Sequence, residues 1–296
     1  CPALERPCNR CVFQGVWRHI GEVDFDAMFG CEVCCQQAGF IPAGFDIPDP
    51  AAFVIFDDIV STTHSLPTQV AALEETGALP DAAWMAGMIR LRREEFDRAK
   101  SHFEHALARL YGLGELFAKY EIAAQISLPI TEDIFAHVFP RERGTRLALV
   151  EIAQLQGSDA DAMVHIERLR QIDATDPIVL LSFAELALDT PNDRALMDDV
   201  VRATTHVENE TPVDTAILLY RGRALSAMDM PDAAIGVFTL ANRRRKNRPE
   251  GLLHQIRYDR AVLYEQVGRK AQARREFERL YAEDPGFEDV RARLNL

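Results

Sequence analysis

The stretch AVLYEQVGRKAQARREFERLYAEDP, residues 261–285, decides the fold. Small residues at Ala261 and Ala273 allow two helices to approach each other closely. Gly268 interrupts the helical pattern between them, and Pro285 ends it because proline cannot continue a helix. Phe277 supplies a large side chain that can fill the space beside the pair. The stretch therefore predicts two helices joined by a tight turn.

These spacings resemble the tetratricopeptide repeat (TPR), a helix–turn–helix unit of 34 residues. The resemblance covers about residues 80–295, with a poor fit near 112–142. It implies that helix pairs stack into a solenoid whose stability is roughly a sum of neighbouring interfaces. The glycine and large apolar positions of the frame recur earlier in the chain, at Gly87 and Phe103, Gly157 and Ile166, and Gly222 and Phe238.

The rest of the chain after residue 50 carries the same periodicity. Apolar residues recur at steps of three and four, and strand-like alternation is nearly absent. We therefore predict helices throughout, including 114–126 and 131–139 in the poorly fitting stretch. Short connections predict antiparallel neighbours. The predicted fold class is all-α: a TPR-like right-handed helical solenoid over residues 50–296, preceded by a small N-terminal module.

That module is defined by cysteines, because all six of the chain lie in its first 35 residues. Cys8 and Cys11 form one CxxC pair, Cys31 and Cys34 form another, and 19 residues separate the pairs. This spacing is typical of zinc sites. Two cysteines three positions apart can place both sulfurs on one ion, and two such pairs complete a tetrahedron. We predict one structural Zn²⁺ per chain held by these four cysteines.

Several alternatives stay open for the cysteines. Thiolate tetrahedra also hold iron, and Cys1, His19 or Cys35 could take one ligand position. A redox pair or free thiols are the metal-free alternatives. The segment resembles the zinc-ribbon and rubredoxin-like class, but Val12 and Cys35 follow the pairs where glycine is common. A stretch rich in proline and glycine, 41–50, predicts a boundary between a module with its linker, 1–49, and the solenoid, 50–296.

Charge and motifs exclude several classes of function. The formal net charge is -13, and residues 1–49 carry three basic side chains against seven acidic ones, so we expect no nucleic-acid binding. No apolar run approaches the roughly 20 residues that span a bilayer, and no secretory signal is evident. We therefore expect a cytoplasmic protein without a membrane partner. Neither a phosphate-binding GxxxxGK[ST] loop nor a GxSxG elbow is present, so we predict no enzymatic activity.

The resemblance also implies a binding surface, because the first helix of each TPR lines a concave groove. Arginines in the groove of an acidic chain favour an anionic segment or a C-terminal carboxylate as ligand. We predict a scaffold or adaptor that binds another protein, and the alternative is a thiol-based redox or metal-responsive regulator. Some groove positions could instead pack within the solenoid. The positions are Trp84, Met88, Arg92, Arg223, Tyr258 and Val262.

Two further patterns have ordinary explanations. The basic run 243–248 is predicted to end a helix over 231–246, where cations complement the carbonyl end of the dipole. A surface for an acidic partner is the alternative. His102 and His105 share one helix face but lack a third ligand nearby, so we interpret them as surface residues.

Overall fold

A computed structural model describes residues 79–119 and 124–296. The cysteine module, the predicted domain boundary and the helices predicted before residue 79 lie outside the described residues. The chain divides into two compact units. The first holds the described residues up to Leu128 together with His137–Ser158, and the second holds Pro129–Ala136 and Asp159–Leu296.

The first unit contains a close helix pair, α1 and α2. A Cβ atom added to Gly87 in α1 would lie 2.8 Å from the ring of Phe103 in α2, and Phe103 is fully buried. Only glycine lets the two helices come this near. The α-helices of this unit are α1 (Pro80–Arg92), α2 (Phe96–Leu107), α3 (Glu115–Lys119) and α4 (Glu142–Leu155), with a 3-10 turn at Leu110–Gly112.

The buried carboxylate of Asp81 fixes the start of α3. It accepts hydrogen bonds from the backbone N–H groups of Gly114 and of Leu116, the latter at 2.9 Å. The carboxylate thus satisfies backbone donors that a helix start leaves unpaired. Burial raises the pKa of Asp81 above its ordinary value, although these hydrogen bonds act in the opposite direction.

A β-hairpin corrects the all-α prediction between residues 124 and 138. Strands β1 (Ile126–Pro129) and β2 (Phe135–Val138) pair in a two-stranded sheet. Side chains along both strands alternate between buried and exposed. The predicted helix 131–139 is wrong, and the predicted helix 114–126 is confirmed over Glu115–Lys119 but runs into strand β1 at its end. The buried side chains of Ile126, Leu128, Ala136 and Val138 alternate with exposed ones, which is the strand period of two.

The second unit, which lies wholly within the described residues, consists of eight helices with their connections, together with the hairpin tip. Pro177, Pro212 and Pro231 each occupy the first helical turn, where a missing N–H costs nothing. Thr211 and Asp214 form a reciprocal capping box. The helices are α5 (Asp159–Ile172), α6 (Pro177–Ala187), α7 (Arg194–Ala203), α8 (Pro212–Ala227), α9 (Pro231–Ala241), α10 (Glu250–Gln266), α11 (Lys270–Glu283) and α12 (Val290–Arg293).

The repeat frame is confirmed in the packing of this unit. Phe238 and Phe277 are each 1% exposed. Phe238 lies against Gly222, and Phe277 belongs to one buried cluster with Ala261 and Ala273. A small residue in the first helix and a phenylalanine in the second thus recur in successive pairs, α8–α9 and α10–α11.

Two arginines are buried in the last helix pair. Arg257 and Arg260 of α10 are only 5% and 8% exposed. Arg257 forms an ion pair with Glu283, and Arg260 lies 3.1 Å from a carboxylate oxygen of Glu276. Both carboxylates come from α11. Since a buried charge needs a partner, these ion pairs explain how the frame tolerates arginine where apolar residues usually pack.

The basic run does not end a helix as predicted. Helix α9 ends at Ala241, and residues 243–248 form the connection to α10. The interaction of these cations with the helix dipole is therefore weaker than the sequence predicts, because the charges lie beyond the last helical turn.

Candidate functional site

A cleft of about 420 Å³ opens on the second unit, mainly between α8 and α10. It brings together three of the six predicted groove residues: Arg223, Tyr258 and Val262. Its other lining side chains include Leu188, Ala227, Asp259, Leu263 and Arg293. The cleft therefore combines apolar surface with a small number of charged groups, a combination typical of ligand-binding sites.

The remaining predicted groove residues lie in the first unit. Trp84 and Met88 are 0% and 2% exposed. Trp84 packs edge-on against Phe117, with ring centroids 6.3 Å apart. The prediction that these two line an open groove is corrected: they pack within the unit, which was the alternative interpretation. Arg92 is exposed at the last residue of α1.

Arg223 is held in place by the neighbouring helix. Its Nε donates a 2.6 Å hydrogen bond to Oδ2 of Asp259, and Oδ1 of Asp259 accepts a 2.9 Å bond from Gln255. The guanidinium carbon lies 5.6 Å from the ring centre of Tyr220. Within the described part of the chain, the Nη1 and Nη2 groups of Arg223 have no hydrogen-bond partner. The arginine is thus fixed through one nitrogen and presents its two terminal nitrogens for further contacts.

A half-buried tyrosine–glutamate pair lies beside Arg223. The hydroxyl of Tyr220 donates a 2.8 Å hydrogen bond to Oε1 of Glu185. Burial raises the pKa of Glu185, the charge of Asp189 raises it further, and Tyr220 and Arg223 partly offset this. Burial and the neighbouring glutamate also raise the pKa of Tyr220. Tyr220 therefore keeps its proton and remains a hydrogen-bond donor. The carboxylates of Glu185 and Asp259 partly balance the positive charge of Arg223.

The opposite wall is organised by Arg293 of α12. Its Nε donates to Asp289 at 2.7 Å, and its Nη1 lies 2.5 Å from a carboxylate oxygen of Glu265. Tyr258 donates a 2.6 Å hydrogen bond to the same Asp289 oxygen. Burial is the largest effect that raises the pKa of Tyr258, and the hydrogen bond to Asp289 raises it further. Arg293 is therefore occupied by intramolecular partners and fixes the Tyr258 ring.

Sequence reasoning missed Asp259 and Arg293. Asp259 follows the predicted groove residue Tyr258 directly, so a search for a carboxylate within reach of Arg223 could have found it. Arg293 lies after the last repeat, where the frame assigns no positions. No sequence signal therefore pointed to it.

Metal and membrane signals are absent from residues 79–119 and 124–296. No group of three or more His, Cys, Asp or Glu side chains there is arranged to hold a metal ion. His105 instead contacts Arg109 at 2.8 Å, in keeping with a surface position. No helix in these ranges is long and apolar enough to cross a membrane. The four predicted zinc ligands lie outside the described residues.

Comparison with solved structures shows that the arrangement of helices in this chain also occurs in another protein of known structure. The N-terminal domain of the EccA1 ATPase from the ESX-1 secretion system of Mycobacterium tuberculosis is similar, with 18% identity, 83% of this chain and 88% of that chain covered, and a TM-score of 0.56. A thermophilic TPR protein of Thermus thermophilus gives 15% identity, coverage of 73% and 97%, and a TM-score of 0.45. Yeast Tom70 gives 13% identity, coverage of 97% and 56%, and a TM-score of 0.45.

No protein-family model matches the chain, and no curated protein sequence matches it. The likeness to the EccA1 domain concerns the arrangement of helices alone, because identity is only 18%. A shared fold does not determine function, which depends on the chemistry of the cleft.

Proposed function

We propose that this protein is a non-enzymatic interaction scaffold and that the cleft between α8 and α10 binds an extended segment of a partner protein. The observation that carries the proposal is Arg223, which Asp259 holds while both Nη groups stay available beside Tyr258 and Val262. Arginine and tyrosine are the residue types that dominate binding energy at protein interfaces.

The free end of Arg223 defines the group that the segment presents. Two terminal guanidinium nitrogens match a carboxylate or a backbone carbonyl, and a carboxylate can accept two parallel bonds. Val262, Leu263 and Ala227 offer apolar contact area next to it. A C-terminal carboxylate therefore remains the ligand group that fits best, with one adjacent apolar side chain.

The absence of enzymatic activity is part of the same proposal. The titratable groups around the cleft are bound to one another: Arg293 to Asp289, Tyr258 to Asp289, and Tyr220 to Glu185. No nucleophile paired with a base occurs among the described cleft residues. The surface is suited to binding instead.

Arrays of short synthetic peptides with free C-termini, or with amidated C-termini, test the proposal. We expect the intact chain to bind a subset of the free-carboxylate peptides. Charge reversal by Arg223→Glu should weaken that binding at least tenfold, about 1.4 kcal/mol, and make the remaining binding less sensitive to salt.

Arg274→Glu is the matched control, since Arg274 is an exposed arginine of α11 whose one ion pair among the described residues is with Glu278. Both variants must melt like the wild type. Wild-type binding by a folded Arg223→Glu protein would contradict the assignment of the cleft.

We also propose a structural Zn²⁺ at Cys8, Cys11, Cys31 and Cys34, and a cytoplasmic location, in keeping with the sequence predictions. The second candidate function is a thiol-based redox or metal-responsive regulator that uses the same cysteines. Its support is the concentration of all six cysteines in the first 35 residues. Alkylation separates the two, because zinc-bound thiolates react slowly and sensor thiols react fast and reversibly.

A further inference from the structure

The connection between α9 and α10, residues 242–249, is the most basic part of this acidic chain. It contains Arg243, Arg244, Arg245, Lys246 and Arg248, whereas the whole chain has a formal net charge of -13. The proposed cleft does not involve these residues. Their contacts divide them into two groups with different roles.

Two of the arginines anchor the connection. Arg248 donates from Nε to the Thr215 hydroxyl at 2.6 Å and from Nη2 to the Glu210 carbonyl at 2.8 Å. Arg244 forms two parallel bonds with the Glu210 carboxylate, at 2.7 and 2.8 Å. Two-pronged arginine–carboxylate pairing fixes orientation as well as distance. These contacts tie the connection to the segment before α8 and to its first turn.

A buried asparagine holds the start of the same connection. Nδ2 of Asn209 donates to the carbonyls of Leu240 and Ala241, at 2.9 and 2.8 Å. These carbonyls lie at the end of α9, where helical donors run out, and the Leu240 carbonyl also accepts from the backbone N–H of Arg243 at 3.2 Å. Asn209 Oδ1 accepts from Thr215 at 2.6 Å, so the asparagine, the threonine and Arg248 form one network. The connection is therefore held at both ends before any partner binds.

The other three cations point into solvent. Arg243, Arg245 and Lys246 are exposed, and the described residues offer them no ion pair or side-chain hydrogen bond. The nearest acid in sequence, Glu250, is 83% exposed, and its closest basic contact is His254 at 3.9 Å. Three like charges within four consecutive residues repel one another, and a ligand of opposite charge would relieve that repulsion.

We infer that Arg243, Arg245 and Lys246 form a docking surface for an acidic segment of a partner protein. Each carboxylate of an acidic segment can pair with one guanidinium group or with the lysine ammonium group. A nucleic acid fits less well, because its affinity comes from many phosphate contacts along an extended basic surface, whereas this connection offers three cations that lack an ion pair within the described part of the chain, and its Arg244 already pairs with Glu210. A preformed surface also avoids the cost of ordering the loop on binding.

Fluorescence anisotropy with labelled octaglutamate tests this inference on the full chain. We expect saturable binding at low salt that weakens strongly at high salt, because the contacts are between exposed charges. The triple variant Arg243→Gln, Arg245→Gln, Lys246→Gln should bind octaglutamate at least tenfold more weakly. The cleft variant Arg223→Glu should keep most of the binding, which separates this surface from the proposed function.

The matched control removes the same charge elsewhere on the second unit. Arg274→Gln, Arg275→Gln, Arg279→Gln changes three exposed arginines of α11 and should bind octaglutamate like the wild type. Equal losses in both triple variants would mean that only net charge matters and would overturn the proposal. Tighter binding of a labelled single-stranded oligonucleotide or of anionic phospholipid vesicles than of octaglutamate would also overturn it, as would no binding of octaglutamate at low salt.

Discussion

Gly222 and Phe238 are in direct contact across the α8–α9 pair. A Cβ atom placed on Gly222 would lie 2.3 Å from Cε1 of the Phe238 ring, far inside the contact distance of two carbons. Phe238 is 1% exposed, so its ring is almost fully buried. Helices α8 and α9 can therefore lie this close together because residue 222 has no side chain.

Gly222→Ala should destabilise the protein by about 1–3 kcal/mol, because the added methyl overpacks a filled interface. Gly236→Ala is the matched control, since Gly236 is also helical but has nothing within 4 Å of an added Cβ. There the substitution should stabilise by about 0.5–1 kcal/mol through helix propensity. Urea denaturation followed by circular dichroism measures both. Equal effects of the two substitutions would contradict the packing described for Gly222.

Phe277→Ala should cost about 3–5 kcal/mol, because its fully buried ring fills the last helix pair. The loss should be local, since contacts in stacked repeats are mainly between neighbours. Hydrogen exchange should therefore show α10, α11 and α12 losing protection while α8 and α9 keep most of theirs. Tyr281→Ala, a partly buried neighbour of the same cluster, should cost clearly less. Uniform loss of protection over all of these helices would contradict the local effect.

The residues explain why parts of this structure could be predicted and others could not. Phe277, Phe238 and Gly222 follow a repeat whose spacing reflects helix contacts, so pattern alone located them. The hairpin was missed because its strands are only four residues each, too short for alternation to stand out within helical surroundings. Pattern also assigns a residue to a helix face without saying what covers that face, which is why Trp84 was placed in a groove.

The charged contacts were the least predictable part of the site. Arg223 and Asp259 are 36 positions apart, and Arg293 meets Glu265 and Tyr258 only because α12 folds back on α10. Such pairs depend on tertiary placement, and neither periodicity nor composition encodes them. The cation run was visible in the sequence, but its division into anchors and free charges required the contacts of Glu210 and Thr215.

The C-terminal helices should lose stability on acidification. Hydrogen bonds from Arg293 and Tyr258 lower the pKa of Asp289. Burial alone would raise the pKa of Glu283, but hydrogen bonds and charges from Arg257 and His254 outweigh it, so that pKa is also lowered. A carboxylate with a lowered folded-state pKa stabilises fully above its unfolded value, about 4.3 for Glu and 3.9 for Asp, and this contribution is lost as pH falls toward the folded value.

Urea denaturation at a series of pH values from about 6 to 3 measures this acid sensitivity. Glu283→Gln should be less stable than wild type at neutral pH and should show a smaller loss between about pH 5 and 3, since one of the titrating groups is gone. Glu278→Gln, on the same helix and 52% exposed, should keep the wild-type slope. Glu185 acts in the opposite direction, because burial raises its pKa; Glu185→Gln should therefore make the loss on acidification steeper. An unchanged slope in Glu283→Gln would contradict the assigned ion pair.

Metal analysis tests the N-terminal prediction. Purified protein that comprises residues 1–296 should contain about one zinc, because two CxxC pairs supply a complete tetrahedral set of thiolates. Replacing any one of the four predicted ligands by serine should strongly lower the zinc content; these are Cys8, Cys11, Cys31 and Cys34. If the two pairs are the ligands, Cys1→Ser and Cys35→Ser should leave the zinc content unchanged. Iron in place of zinc would show that the predicted metal is wrong and that the four-cysteine site is right.

Removal of the metal by a chelator should unfold the N-terminal module while the helical circular dichroism signal of residues 50–296 persists, since metal binding energy is folding energy in so small a segment. Metal-free protein with fast-reacting thiols at all six cysteines would refute the zinc site and favour the redox regulator.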